Sequence, residues 1–256
     1  MKTTTRVRRF ATAIAFGVAA LSAQIATAAP VKNVVLVHGF FADGSGWQAV
    51  SNILTRDGYK VSVVQEPETS FKDDVAATTR VVDAQDGPSI LVGHSYGGAV
   101  ITEAGNDARV SGLVYIAAFE PDAGESLKDL TTRMPAAIKS IKETDDGHLY
   151  IDPSRFHADF AADVPEPEAA FMASSQVMPA VGSFTAPVVQ AAWKSKPSWA
   201  VVAASDRTVN PDLERWMAKR AGSKVTEVNS SHVAFLSHPE EIAKVIEQAA
   251  VASGNR

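Results

Sequence analysis

From Asn33 onward the chain alternates between two kinds of segment: short unbroken apolar runs, and longer stretches whose apolar positions recur every three or four residues. Asn33 to Val37 (NVVLV), Val61 to Val64, Ser89 to Val92, Gly112 to Ala118 (GLVYIAA), Ser198 to Ala203 (SWAVVA) and Lys224 to Val228 are of the first kind. Runs of this length predict strands, and continuous apolar character predicts strands covered on both faces. Ser45 to Arg56 is of the second kind, with Trp47, Val50, Ile53 and Leu54 at helical spacing and Asp57-Gly58 as its stop. Phe71 to Ala84 reads as a helix with Asp73 and Asp74 in its first turns, where negative charge is favoured. Further helices are expected after Gly93 as far as about Asn106, and over Pro211 to Arg220 and Pro239 to Ala250. Strands alternating with helices imply an α/β fold: a mostly parallel sheet of about six strands with right-handed crossovers and helices on both faces.

The alternation breaks once. Between about Phe119 and Lys196 no strand–helix rhythm is visible, although Met134, Phe156, Phe160, Phe171, Met172, Met178, Phe184 and Trp193 fall there among many prolines. The stretch is too long for a bare loop in a compact domain. It is expected to be a lid, about residues 119–196, inserted over the C-terminal edge of the sheet.

The first residues follow another pattern. Lys2, Arg6, Arg8 and Arg9 precede an apolar run from Phe10 to Leu21, and Ala26-Thr27-Ala28 supplies small residues beyond it. That is the layout of a signal peptide, and the apolar run is too short to span a bilayer. Residues 1–28 are expected to be removed, leaving one domain over 29–256 with no stable membrane anchor, in the periplasm or secreted.

Bulk composition narrows the partners. The net charge is −5, with basic and acidic residues interspersed and no basic stripe for nucleic acid. Cysteine is absent, which excludes disulfides, thiolate metal sites and a cysteine nucleophile.

The chemistry gathers around Gly93-His94-Ser95-Tyr96-Gly97, a G-x-S-x-G motif that follows an apolar run and opens a helix. On such a turn the serine is held in strained backbone, and side chains at the flanking glycine positions would clash. Serine is a weak nucleophile and needs a base. Of the six histidines, His232 stands on the loop after the last strand, where this architecture places the base. His238, before Pro239, reads better as a capping residue. His232 and His238 lack the clustered carboxylates and the spacing of a metal site. The base needs an acid to orient it. Asp206 follows the fifth run; Glu120 and Asp122, after the fourth, compete, and Asp212 reads as a first-turn helix charge. The order Ser95, Asp206, His232 is that of an α/β-hydrolase triad. Two backbone donors are needed for the oxyanion: the amide of Tyr96 and, from the loop after the first strand, that of Phe40. His38, Gly39, Phe41, His94 and Trp193 are expected to line the substrate.

Together these residues resemble the α/β-hydrolase superfamily over essentially the whole mature chain. Val35-Leu36-Val37-His38-Gly39 followed by Gly44-Ser45-Gly46-Trp47 is similar to the plant methylesterase and hydroxynitrile lyase group and its bacterial relatives. The resemblance implies a donor just after His38-Gly39, an acid at Asp206 and a base at His232. It departs from the lyases, which carry Thr where this chain has Gly39 and Lys where it has Val233, and a Ser nucleophile departs from the Asp-dependent dehalogenases and epoxide hydrolases. The expected activity is hydrolysis of small, hydrophobic carboxylic esters through an acyl-enzyme, with no cofactor and no metal. Perhydrolysis, amide or carbon–carbon bond hydrolysis on the same triad, and slow-turnover ligand binding, are the alternatives.

Overall fold

A computed structural model describes residues 1–3 and 29–254; residues 4–28, which carry the expected leader, lie outside the described residues. In chain order it contains β1 (Asn33–Val37), α1 (Gln48–Arg56), β2 (Lys60–Val63), α2 (Phe71–Asp83), β3 (Ser89–His94), α3 (Gly97–Ala104) and β4 (Val110–Ile116). There follow α4 (Leu127–Arg133), β5 (Ile141–Glu143), β6 (Leu149–Ile151), α5 (Pro153–Phe160), α6 (Glu166–Ser175) and α7 (Val181–Thr185). The chain closes with β7 (Ser198–Ala203), α8 (Pro211–Ala221), β8 (Lys224–Val228), α9 (Ala234–Ser237) and α10 (Pro239–Gly254).

The six apolar runs pair in one sheet of order β2-β1-β3-β4-β7-β8, parallel throughout. β1, β3 and β7 are buried along their whole length, which is why their sequences show no polar alternation. The edge strand β8 is largely exposed and carries Lys224 and Glu227, charges that discourage pairing with another chain. A Cβ added at Gly112 would meet Ser253 of α10, whereas the side chain of the next residue, Leu113, lies against Gly105 beyond α3. Successive strand residues face opposite sides, so α10 and α3 cover opposite faces of the sheet.

Strand order places the site. From β1 the chain steps outward to β2, then returns across β1 to β3 on its other side. The loops leaving β1 and β3 therefore diverge, and such a switch point opens a crevice at the carboxyl ends of the strands.

Between β4 and β7 the chain leaves the sheet for α4, an antiparallel β5–β6 hairpin, and α5 to α7. The hairpin has no counterpart in the sequence expectation: β5 is three exposed residues, Ile141-Lys142-Glu143, without an apolar face. Phe156 and Phe160 of α5 are fully buried. Hydrogen bonds tie the insertion to the loops of the sheet. Ile138 N–H donates to Arg207 O (2.7 Å) and Ala180 N–H to Glu68 O (2.9 Å). Ser231 N–H donates to the Asp163 carboxylate (2.9 Å), which also accepts from the Ser231 hydroxyl.

Candidate active site

Ser95 sits between the end of β3 and the start of α3, with φ at +52°. A left-handed conformation is costly for a residue with a Cβ, and the surrounding structure has to enforce it. Here the Ser95 amide donates to Ile116 O of β4 (3.2 Å), and the Ser95 carbonyl accepts from Gly98 (3.0 Å) and Phe119 (3.1 Å). The turn is tight enough that a Cβ at Gly97 would collide with the backbone of His38, and one at Gly39 would lie 2.7 Å from the Ser95 Cβ. The loop after β1 thus passes directly against the serine because residue 39 has no side chain.

Asp206 and His232 meet on the neighbouring loops. Asp206 Oδ2 lies 2.6 Å from His232 Nδ1, with both side chains fully buried. The other carboxylate oxygen, Oδ1, accepts from the amides of Thr208 (2.7 Å) and Val209 (3.0 Å). These bonds fix the acid, and the acid fixes the imidazole with its proton on Nδ1, which leaves Nε2 as the basic atom. Nε2 is buried and makes no hydrogen bond among the described residues; the Ser95 hydroxyl does not donate to it in this conformation. The Phe160 ring packs 5.0 Å from the His232 ring.

Tyr96 follows the serine at the N-terminal end of α3, and its amide, like that of Phe40, donates to no described backbone or side-chain acceptor. The two side chains stack, ring centroids 3.9 Å apart and 17° from parallel. This stack joins the loop after β1 to the turn after β3. A helix start with free amides favours negative charge.

A cavity of about 420 Å³ opens at Ser95. Its wall is largely apolar: Phe40, Phe41 and Phe119 from the sheet loops, and Leu127, Ile138, Leu149, Val181 and Phe184 from the insertion, with Thr131, Lys139, Glu143 and Thr208 among them. A second cavity of about 460 Å³ lies beyond Phe41, toward α1 and α6, and does not reach Ser95. Phe41, itself at φ +66°, stands in the wall of both.

Three residues expected at the substrate are placed elsewhere. His94 is fully buried, and its Nε2 donates to the backbone carbonyl of His232 (2.9 Å). Burial, with the neighbouring imidazole of His232 adding to it, holds His94 well below the usual histidine range, so the ring is neutral. Its role is to hold the loop that carries His232. Trp193 donates its indole N–H to Pro121 O (2.8 Å) and lines neither cavity.

His38 turns away from the cavity into a buried acidic cluster. Its Nε2 accepts from the Glu66 amide (3.0 Å), which puts the ring proton on Nδ1, 3.5 Å from Glu68 and 3.8 Å from Glu66. One imidazole nitrogen of His38 and one carboxylate oxygen each of Glu66 and Glu68 lie within 4.8 Å of one another, a spacing a cation could use. The tautomer opposes it: the nitrogen facing the carboxyls carries hydrogen and has no lone pair to give. Burial pushes Glu66 well above the usual carboxyl range and Glu68 up to about 7.

The family model for the alpha/beta hydrolase family matches residues 34–245. The chain belongs to the α/β-hydrolases. It is 26% identical over 247 residues to the α/β-hydrolase nvfD of Aspergillus novofumigatus, covering 85% of this chain and 96% of that one. It is 26% identical over 246 residues to a pyrethroid hydrolase of Sphingobium wenxiniae, covering 84% and 86%. Among solved structures, a methylesterase from Arabidopsis superposes with a TM-score of 0.73 at 18% identity, covering 86% of this chain and 98% of the other. At that identity the likeness speaks for the fold, and it agrees with the plant methylesterase resemblance of the sequence.

Proposed function

We propose that this α/β-hydrolase is a serine-dependent carboxylic ester hydrolase acting through an acyl-enzyme. The carrying observation is the fully buried Asp206–His232 pair, 2.6 Å apart, on loops beside a strained serine that faces an apolar cavity. The similarity to a pyrethroid hydrolase supports ester chemistry.

In this reading Ser95 rotates its hydroxyl onto His232 Nε2. The imidazole takes the proton as Oγ attacks the ester carbonyl. The free amides of Phe40 and Tyr96 stabilise the oxyanion, and losing one such donor typically costs about 10²–10³ in rate. His232 returns its proton to the leaving alcohol. It then activates water to release the acid, while Asp206 stays ionised and orients the ring. The cavity at Ser95 suits an ester with one sizeable hydrophobic group, and the expected leader would place this activity in the periplasm or outside the cell.

The test is hydrolysis of short- and medium-chain nitrophenyl esters by wild type and Ser95→Ala. Turnover by the wild type alone, with a serine-directed phosphonate labelling residue 95, is the expected result. Equal turnover by both proteins rejects Ser95 as the nucleophile.

A further inference from the structure

Behind Asp206 lies a second carboxyl that the mechanism above does not use. Glu214, in the first turn of α8, is 3% exposed. Its Oε2 accepts from the Ala203 amide at the end of β7 (3.2 Å). The other oxygen, Oε1, is buried without a donor, and the carbonyl of the same Ala203 accepts from the Asp206 amide (3.1 Å), so both carboxyl residues are fastened to one residue at the end of β7. Two carboxyls buried at one site do not both ionise readily at neutral pH. Asp206 already holds two amides and His232, all of which favour its anion. The proton therefore belongs on Glu214, and Oε1 is the atom with room for it. Burial, then the charge of Asp206, pushes Glu214 well above the usual carboxyl range. The groups facing it are Asp206 and the Ala203 amide from the β7 side and Arg215 from its own helix; Arg215 is itself paired with Asp212 and Glu227.

We propose that Glu214 is a positioning residue for the triad: as the neutral acid it donates a hydrogen bond to Asp206, which holds that carboxylate against His232 and moderates its charge. The inference rests on the triad reading above. It adds a relay of four groups, Glu214, Asp206, His232 and Ser95, in which the first never touches substrate. The sign of the effect follows from the donor. A hydrogen bond to Asp206 spreads its negative charge and weakens its hold on the imidazolium that forms at His232. Without the donor the imidazolium is favoured, and the base is lost at a higher pH.

The experiment compares Glu214→Gln, which keeps a donor toward Asp206 and an acceptor for Ala203, with Glu214→Met, which keeps only the volume. Glu214→Met is expected to move the acidic limb of kcat/KM upward by about one to two units, the size expected for a lost hydrogen bond to a charged group. Glu214→Gln is expected to keep the limb where the wild type has it. An unmoved limb in Glu214→Met, or the same displacement in both variants, overturns the proposal. The second measurement needs no turnover. Infrared difference spectra of wild type minus Glu214→Gln near pH 7 should show the carbonyl band of a protonated carboxylic acid. A carboxylate band in its place overturns the proposal whether or not the methionine variant folds. Failure of the ester assay leaves this spectrum unaffected, so the two readings fall separately.

Discussion

The phenol of Tyr96 donates a 2.6 Å hydrogen bond to Asp74 Oδ2, deep beneath the turn that carries Ser95. The other oxygen of Asp74 accepts from the Glu68 amide (2.8 Å). One buried carboxylate of α2 therefore secures both the residue after the nucleophile and the loop after β2. Burial raises the Asp74 carboxyl, and burial with the Asp74 charge raises the Tyr96 phenol, so the phenol keeps its proton and remains the donor.

Tyr96→Phe strands Asp74 Oδ2 in the interior. Leaving a buried acceptor unpaired costs about 1–3 kcal/mol, and chemical denaturation should show a loss of that size. In a double-mutant cycle with Asp74→Asn the two losses should not add, because both remove the same bond. Additive losses would mean that the bond carries no coupling energy.

Gly39→Ala tests the close approach of the two loops. The new methyl would lie 2.7 Å from the Ser95 Cβ and 2.8 Å from the His94 carbonyl oxygen. Overpacking of this kind costs about 1–3 kcal/mol. The displaced loop carries the Phe40 amide, so kcat should fall by about 10²-fold or more if that amide is an oxyanion donor. An alanine variant with wild-type kcat would show that the loop gives way without harm to the site.

Glu120 makes a stability prediction with a definite sign. Burial pushes its carboxyl from an ordinary 4.5 to about 8, against the opposing pull of the Ser223 hydroxyl and then Arg220. Between those values the folded chain holds a proton that the unfolded chain releases, so stability falls as pH rises across the window. Glu68, pushed up to about 7, acts in the same direction. Denaturation midpoints measured at about pH 5 and about pH 8.5 should drop more for the wild type than for Glu120→Gln. The difference should be on the order of a few kcal/mol. Equal drops would remove Glu120 from the account.

The sheet was readable in the sequence because parallel strands are covered on both faces, and their apolar runs survive without any partner in view. β1, β7 and β8 fall on their predicted residues, and the other three strands differ only at their ends. The serine turn was readable for a local reason: strand, glycines and helix are contiguous. What escaped were pairings made by packing at long range. Asp74 and Glu214 each sit in the first turn of a helix, where a carboxylate ordinarily serves the helix dipole, and only the fold shows that both are buried against triad-side residues. His38 and His94 were misplaced for a related reason. Adjacency to a motif in sequence says nothing about the side of the strand end to which a side chain turns. The cavity wall drew Leu127, Ile138, Leu149 and Val181 from an insertion whose short elements leave almost no periodic trace.

All of that insertion enters through a single connection, between β4 and β7, while Ser95, Asp206 and His232 follow β3, β7 and β8. Under the proposed mechanism, specificity and turnover would be built on separable stretches of one polypeptide. A graft exchanging the segment after β4 for that of another hydrolase would replace most of the wall while retaining the reacting groups. The graft must also bring its own equivalent of Asp163, the carboxylate that steadies Ser231 beside the base. Without it the new roof would be joined to an engine whose mounting has come loose.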